Sequence, residues 1–381
     1  MVYLDYNAST PVDQRIFPAI AEAQEAFGNP SSLHHAAGQQ AAELVEEARS
    51  RVATFVDRPA QDVVFTSGAT EASVLAVVGV MLAAQGRPNI VVSSTEHKAV
   101  IAAAEIGARI SGGEVRTARV GADGVVDLNH LASLIDDSVA VIAVMAANNE
   151  TGVLGPVEAV GSLARDRGAL SFIDATQLLG KAAFGGVTAA GDILVCSSHK
   201  MYGPKGAGAL IADRRVQKAI VPIASGGGQE RGIRGGTQNT PSLVGFGLAA
   251  ELAMKEQVSD IARIEGLAIT LLRRLTDGLA EVELNGANTD RLSNTLNLRF
   301  VGADAEAVMA SMPNVLVSAG SACQSAVPSP SHVLLAMGLG GTAASECLRI
   351  SLGRPTTELE IQEAADSIVD AVSRVRALTS D

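Results

Sequence analysis

The sequence predicts an α/β fold, with a large domain over residues 15–250 built on a mostly parallel sheet and a smaller α+β domain made by 1–14 together with 251–381. Short apolar segments alternate with segments of helical length, the pattern of a doubly wound sheet. Several of the apolar segments stop abruptly on polar residues, as strands buried on both faces do where they reach the edge of a sheet. Hydrophobic residues make up 47% of the 381, with 3% aromatic and no Trp, so the interior must be Ala, Val, Leu and Ile, which suits helices packed on parallel strands.

In chain order, residues 1–14 form a polar, extended lead with Asn7-Ala-Ser-Thr-Pro11 as a turn, and Gly28-Asn-Pro-Ser-Ser32 is a second loop. Leu44, Val45, Ala48, Val52 and Phe55 share one face of a helix at 3.6-residue spacing. Val63-Val-Phe65 is a strand, Thr66 to Glu71 a turn of small residues, and Ala72 to Ala84 a helix. Asn89 to Ser93 is a strand that ends at Thr95-Glu-His-Lys98, and Val139 to Ala146 one that ends at Asn148-Asn-Glu-Thr-Gly152 before a helix from Val157 to Asp166. Leu170 to Ile173 and Ile193 to Cys196 are strands that run into Asp174 and into Ser197-Ser-His-Lys200. Gly226 to Thr237 is too glycine-rich for a regular element and reads as a functional loop. A long helix from about Ser242 to Leu279 crosses into the second domain, which has strands near Leu296–Phe300 and Leu348–Leu352 and helices near Ala305–Met312 and Glu358–Leu378.

The formal net charge of −12, with no dense Lys/Arg run, argues against nucleic acid as a partner. The N-terminal residues lack a signal peptide's basic and apolar regions, and the longest apolar run, Val74 to Ala84, is far short of the ~20 residues of a membrane span. A cytoplasmic protein with small-molecule or protein partners is expected. Cys196, Cys323 and Cys347 are odd in number without C-x-x-C spacing, and His34 and His35 lack ligand spacing, so neither a disulfide framework nor a metal centre is expected.

Asp174 and Lys200 stand at the carboxyl ends of two strands, where open α/β sheets bind ligands. A lysine that can bind an aldehyde and a carboxylate that can keep a pyridine nitrogen protonated suit pyridoxal 5'-phosphate. Thr66-Ser-Gly-Ala-Thr-Glu71 joins a strand to a helix through small residues and can hold a phosphate on backbone N–H groups, with Ser197 and His199 as further donors. At the same sheet edge His97 is placed to stack on a flat cofactor and shuttle protons. Cys323 lies in a run of small residues and prolines, where a thiol can be reached by a substrate. Cys196 reads as core and Cys347 as structural, although strand alternation puts Cys347 on the face of Arg349, whose guanidinium suits an amino-acid carboxylate.

Tyr3-Leu-Asp-Tyr6, Thr66 to Glu71, Thr95-Glu-His-Lys98, Asn148-Asn-Glu150, Asp174-Ala-Thr-Gln177, Ser198 to Gly206, Gly226 to Thr237, Ser321-Ala-Cys323 and Arg349 to Arg354 occur in the order in which cysteine desulfurases of the NifS/IscS type carry them. The chain resembles that family across nearly its whole length. The resemblance implies a fold-type I enzyme of the class V aminotransferase superfamily that uses pyridoxal 5'-phosphate to convert L-cysteine to L-alanine. The sulfur would be left as a persulfide on Cys323 and passed to an acceptor protein, by an enzyme that works as a homodimer.

Carried onto this sequence, the family's roles make Lys200 the residue that binds the cofactor's aldehyde, Asp174 the partner of its pyridine nitrogen and His97 the stacking acid/base. Gln177 would bond the phenolic oxygen, with Asn149 near it and near the substrate. Ala69, Thr70, Ser197 and His199 would hold the phosphate, and Thr237 would reach it from the neighbouring subunit. Arg349 would take the substrate carboxylate, with Asn7 in the substrate pocket. The chain departs from the usual pattern at Ala146-Ala147, where a His-containing segment is more common, and at Gln229, where some members have His.

Overall fold

The computed structural model describes residues 1–319 and 330–379. Its strands, in chain order, are β1 (Val2–Tyr3), β2 (Val63–Thr66), β3 (Asn89–Ser93), β4 (Val115–Ala118), β5 (Val139–Ala143), β6 (Leu170–Asp174), β7 (Ile193–Ser197), β8 (Gly208–Ala212), β9 (Val282–Leu284), β10 (Thr295–Phe300), β11 (Val315–Leu316) and β12 (Cys347–Ser351). Among the described residues seven of them form one sheet in the order β2-β8-β7-β6-β5-β3-β4. Only β8 runs against its neighbours, antiparallel to both β2 and β7, while β7, β6, β5, β3 and β4 are mutually parallel.

Helices cover both faces. Val45, Val52, Phe55, Leu243 and Phe246 close one side against Phe65, Leu194 and Ile211. On the other, the Ala69–Ala83 and Lys98–Ser111 helices bring Leu75, Val78 and Val100 onto Val64, Ile90 and Val141. β2, β3, β5, β7 and β8 are buried along their full length, which is why all but β8 read as apolar runs in the sequence.

A second core gathers Leu4, Leu271, Leu298, Phe300, Leu348, Ile350, Ile368 and Val372 around an antiparallel sheet of order β12-β10-β9. The 39-residue helix Thr240–Gly278 contributes to both cores. The amino-terminal lead is not free of structure: β1 pairs in parallel with β11, and Leu4 is fully buried in the second core.

The differences from the expected elements are local. The helix after β2 begins at Ala69 rather than Ala72, which draws Ala69, Thr70 and Glu71 into its first turn. β5 stops at Ala143, and Val144 to Ala147 continue as buried irregular chain. β8 was not anticipated, because it follows a Gly-Pro-Lys-Gly turn and is rich in Gly and Ala. The glycine-rich stretch holds one 3-10 turn, Gln229–Gly232, in which Glu230 and Arg231 adopt positive φ of 46° and 59°. Such backbone costs roughly 1 kcal/mol per residue or more. An interior ion pair offsets it: Glu230 takes both terminal nitrogens of Arg49 at 2.7 and 2.9 Å and also accepts from the Phe65 N–H at 2.9 Å.

Candidate active site

The carboxyl ends of β2, β3, β6 and β7 open onto one cavity of about 580 Å³, lined by Asn7, Ala69, Thr70, His97, Asn149, Asp174, Gln177, Ser197, His199, Lys200 and Arg349 among others. These residues lie up to 342 positions apart in the sequence, and the parallel sheet brings them together by ending its strands on the same side. Thr237 alone of the described expected residues does not line this cavity, and it is exposed at the end of the glycine-rich loop.

At one end, the Ala69–Ala83 helix points its amino terminus into the cavity, so first-turn N–H groups that the helix cannot use internally face it. Ser197 and His199 come in from β7 and from the 3-10 turn Ser198–Lys200 behind it. The turn through Gly68 lies close on β8 because residue 208 is glycine: a Cβ there would stand 2.5 Å from the Gly68 Cα. His199 is lowered to about 4 by burial, then by Lys200, Lys205 and Lys181, and its Nδ1 lies 3.2 Å from the Ser9 hydroxyl. Burial pushes Glu71 up, but hydrogen bonds from Arg234 and from Ser67 hold it below the usual carboxylate range.

Asp174 is 6% exposed at the tip of β6, with its Oδ1 accepting from the Thr176 N–H at 2.9 Å. His97 caps the Lys98–Ser111 helix, its Nδ1 accepting from the Ala99 N–H at 3.1 Å. An Nδ1 used as acceptor leaves the proton of the neutral ring on Nε2. Burial lowers the His97 pKa, outweighing the attraction of Asp174, and Lys200 and His332 push it the same way. The lowered pKa favours the neutral ring, which offers its Nε2–H as a donor.

The other end is organised around Asn7, which is 1% exposed. Its carbonyl accepts from Lys200 Nζ at 2.5 Å and from Gln177 Nε2 at 2.9 Å, and the Ala8 carbonyl takes Lys200 Nζ at 2.7 Å. Its Nδ2 donates to Thr295 at 2.8 Å and its Oδ1 accepts from Asn294 and from Lys181, each at 3.2 Å. Asn7 was expected to contact substrate, yet its amide is fully used in tying residues of both cores together. Arg349 lines the cavity with Nη2 on Asp5 at 2.6 Å and Nη1 on the Asn149 carbonyl at 3.1 Å, so its charge is already partnered.

Three contributors were not singled out from sequence. His332 lines the cavity with Nε2 3.0 Å from the Glu96 carbonyl oxygen. Glu96 itself is wholly buried, which pushes its carboxyl up to about 8 despite a 2.6 Å bond from the Met145 N–H, and the nearby Asp174 pushes it the same way. Lys181 lies partly buried beside Gln177. The spacing of Gln177 and Lys181, four residues apart, was the one available signal.

The thiols divide clearly. Burial raises Cys196 to about 12 and Cys347 to about 11, and Cys347 is packed in the core with Val91 and Ile142. Neither is a thiolate at neutral pH. Cys323, the expected nucleophile, lies outside the described residues.

A family model described as aminotransferase class-V matches residues 2–363. A cysteine desulfurase of Frankia sp. (strain EuIK1) is 46% identical, the match covering 100% of this chain and 93% of that protein. Among solved structures, a NifS-like protein superposes with a TM-score of 0.89 at 32% identity, covering 98% of this chain and 99% of that one. SspA in complex with cysteine superposes with a TM-score of 0.80 at 31% identity, covering 92% and 99%. Among the described residues no helix is long and apolar enough to cross a membrane. With a family match over nearly the whole chain and a full-length relative of this similarity, the chain belongs to the aminotransferase class-V family, among its cysteine desulfurases.

Proposed function

We propose that this chain is a cytoplasmic, homodimeric desulfurase that binds pyridoxal 5'-phosphate in the cavity, takes the sulfur of L-cysteine onto Cys323 and passes it to an acceptor protein. The observation that carries this reading is the meeting of Lys200, Asp174, neutral His97 and Arg349 on one cavity. The large domain of 15–250 would hold the cofactor, and the domain of 1–14 and 251–381 would supply Arg349 and Cys323.

The residues present fit the cofactor. The first turn of the Ala69–Ala83 helix, with Ala69 and Thr70, together with Ser197 and His199, would hold its phosphate, and the close Gly68–Gly208 crossing gives that group room beside the backbone. Thr237 of the neighbouring subunit would complete this end. Asp174 would take the pyridine nitrogen, Gln177 the phenolic oxygen with Asn149 beside it, His97 would stack on the ring, and Lys200 would hold the aldehyde carbon. When bound, pyridoxal phosphate supplies an electron sink for the substrate's α-carbon.

The protein's own residues do the rest. Lys200, held on the carbonyls of Asn7 and Ala8, must exchange those partners, and its amine is then the base for the α-proton. Arg349 orients the substrate carboxylate in exchange for part of its hold on Asp5. Neutral His97, with its proton on Nε2, donates a hydrogen bond from that atom, and to take a proton there it must first move its own to Nδ1 and give up the bond from the Ala99 N–H. The Cys323 thiolate attacks the substrate sulfur, a sulfur–sulfur bond forms, and the carbon–sulfur bond breaks with its electrons left on carbon. L-cysteine and one enzyme thiol become L-alanine and one enzyme persulfide, with no outside oxidant. Acceptor choice belongs to surfaces outside this cavity.

Cys323→Ser tests the reading. The variant is expected to make no persulfide from L-cysteine while its cofactor absorbance stays that of the parent. Full sulfide release by this variant, together with its loss in Cys347→Ser, would assign the nucleophile to Cys347 instead.

A further inference from the structure

Lys181 is a partly buried lysine with no carboxylate partner among the described residues: desolvation lowers its pKa from the ordinary value, and Lys200 and Arg349, both cations, push the same way. Both of its hydrogen bonds run to side-chain amide oxygens of cavity residues, Gln177 Oε1 and Asn7 Oδ1. An amide side chain can be turned end for end with little change in shape, and only its partners decide which end faces where. Here Nζ donates to both oxygens, and as an ammonium group it has no lone pair with which to accept, so in that form it admits one orientation of each amide.

For Gln177, the oxygen faces Lys181 and the NH2 group is turned away from it, with one hydrogen on the Asn7 carbonyl at 2.9 Å. The second hydrogen is then available to the cavity. For Asn7, Lys181 shares the oxygen with Asn294, while the Nδ2 side goes to Thr295 and to the Asn149 carbonyl.

We propose that Lys181 is a positioning residue: by occupying the amide oxygens of Gln177 and Asn7 it keeps the Gln177 NH2 group turned to the cavity, where it donates to the anionic ring oxygen of bound pyridoxal phosphate. The inference rests on the cofactor assignment made above. It gives Lys181 no contact with substrate and no part in proton transfer. Lys181 acts through Gln177.

The test is a double-mutant cycle on the full chain, read by the dissociation constant for pyridoxal phosphate and by the position of the bound cofactor's absorbance band. Lys181→Met is expected to weaken cofactor binding about tenfold and to move the band, the loss of one hydrogen bond to a charged group. Lys181→Arg, which can still donate to both oxygens, is expected to restore both. Gln177→Ala alone should show the same loss, and adding Lys181→Met to it should add nothing. A double variant whose loss is the product of the two single losses would overturn the proposal, as would a Lys181→Met protein with parental affinity and band. If Lys181→Met does not fold, Lys181→Gln enters the same cycle with the same two criteria. An unsubstituted protein that binds no pyridoxal phosphate would instead sink the cofactor assignment, and this inference with it.

Discussion

The two ends of the cavity are built on opposite terms. At the end formed by the Ala69–Ala83 helix, first-turn N–H groups and the side chains of Ser197 and His199 are offered by elements whose own internal bonding does not use them. At the Asn7 end the charged groups are already engaged, Lys200 on two carbonyls and Arg349 on Asp5 and Asn149, while Gln177 keeps one hydrogen for the cavity. The difference teaches that the first end is preorganised for an anion, whereas at the second Lys200 and Arg349 must exchange internal partners. The hold on an anion should depend on the first end, and substrate handling and turnover on the second.

Lys200→Ala gives the largest expected effect, because it removes the amine that the Asn7 end holds in reserve. Alanine production should fall by ~10³-fold or more, and a rate within tenfold of the parent would show that this end is not where the chemistry happens. Arg349→Met comes next. Its kcat/KM for L-cysteine should drop by about 30-fold or more, as for loss of a buried charge pair worth about 2 kcal/mol or more, and most of the loss should appear in KM. An unchanged KM would mean that Arg349 stays on Asp5 throughout turnover.

Glu230→Gln probes the scaffold of the first end, since Glu230 holds both Arg49 and the Phe65 N–H of the strand leading into Thr66-Ser67-Gly68. Breaking this interior pair should cost about 3 kcal/mol, measured as a lower midpoint in denaturant. No shift would mean that the glycine-rich loop holds its conformation without the pair.

The smallest effect concerns His199. Its folded value of about 4 lies below the 6.5 of an unperturbed histidine, so between these the unfolded chain binds more protons. Stability should therefore fall as pH drops from about 6.5 toward 4, and this limb should be weaker in His199→Gln. An identical pH dependence in the two proteins would assign the limb to other groups, His97 first, since its pKa is lowered by burial as well.

How much of this could be read from the chain depended on distance. Asp174, His97 and Lys200 announced themselves because each stands at the end of an apolar strand or within four residues of it, where polar residues gather at the sheet edge. The thiols could be sorted by their neighbours: Cys196 among Val and Leu is core, and Cys347 proved equally buried. β8 was lost because its Gly and Ala residues carry a weak strand preference that only its place between β2 and β7 overrides. The pairing of Arg349 with Asp5, 344 residues apart, has no local signature. The same holds for the use of Asn7 as a hub and for the placing of His332 against Glu96.

The sequence by itself determined the alternation of strands and helices, the residues at the strand ends and the kind of cofactor that such residues suit, because hydrophobic period and turn chemistry are properties of neighbouring residues. Tertiary structure alone decided which of those residues are already partnered, which way the amides of Asn7 and Gln177 face, and that His97 is neutral. Each of these depends on burial and on donors or charges brought from distant parts of the chain.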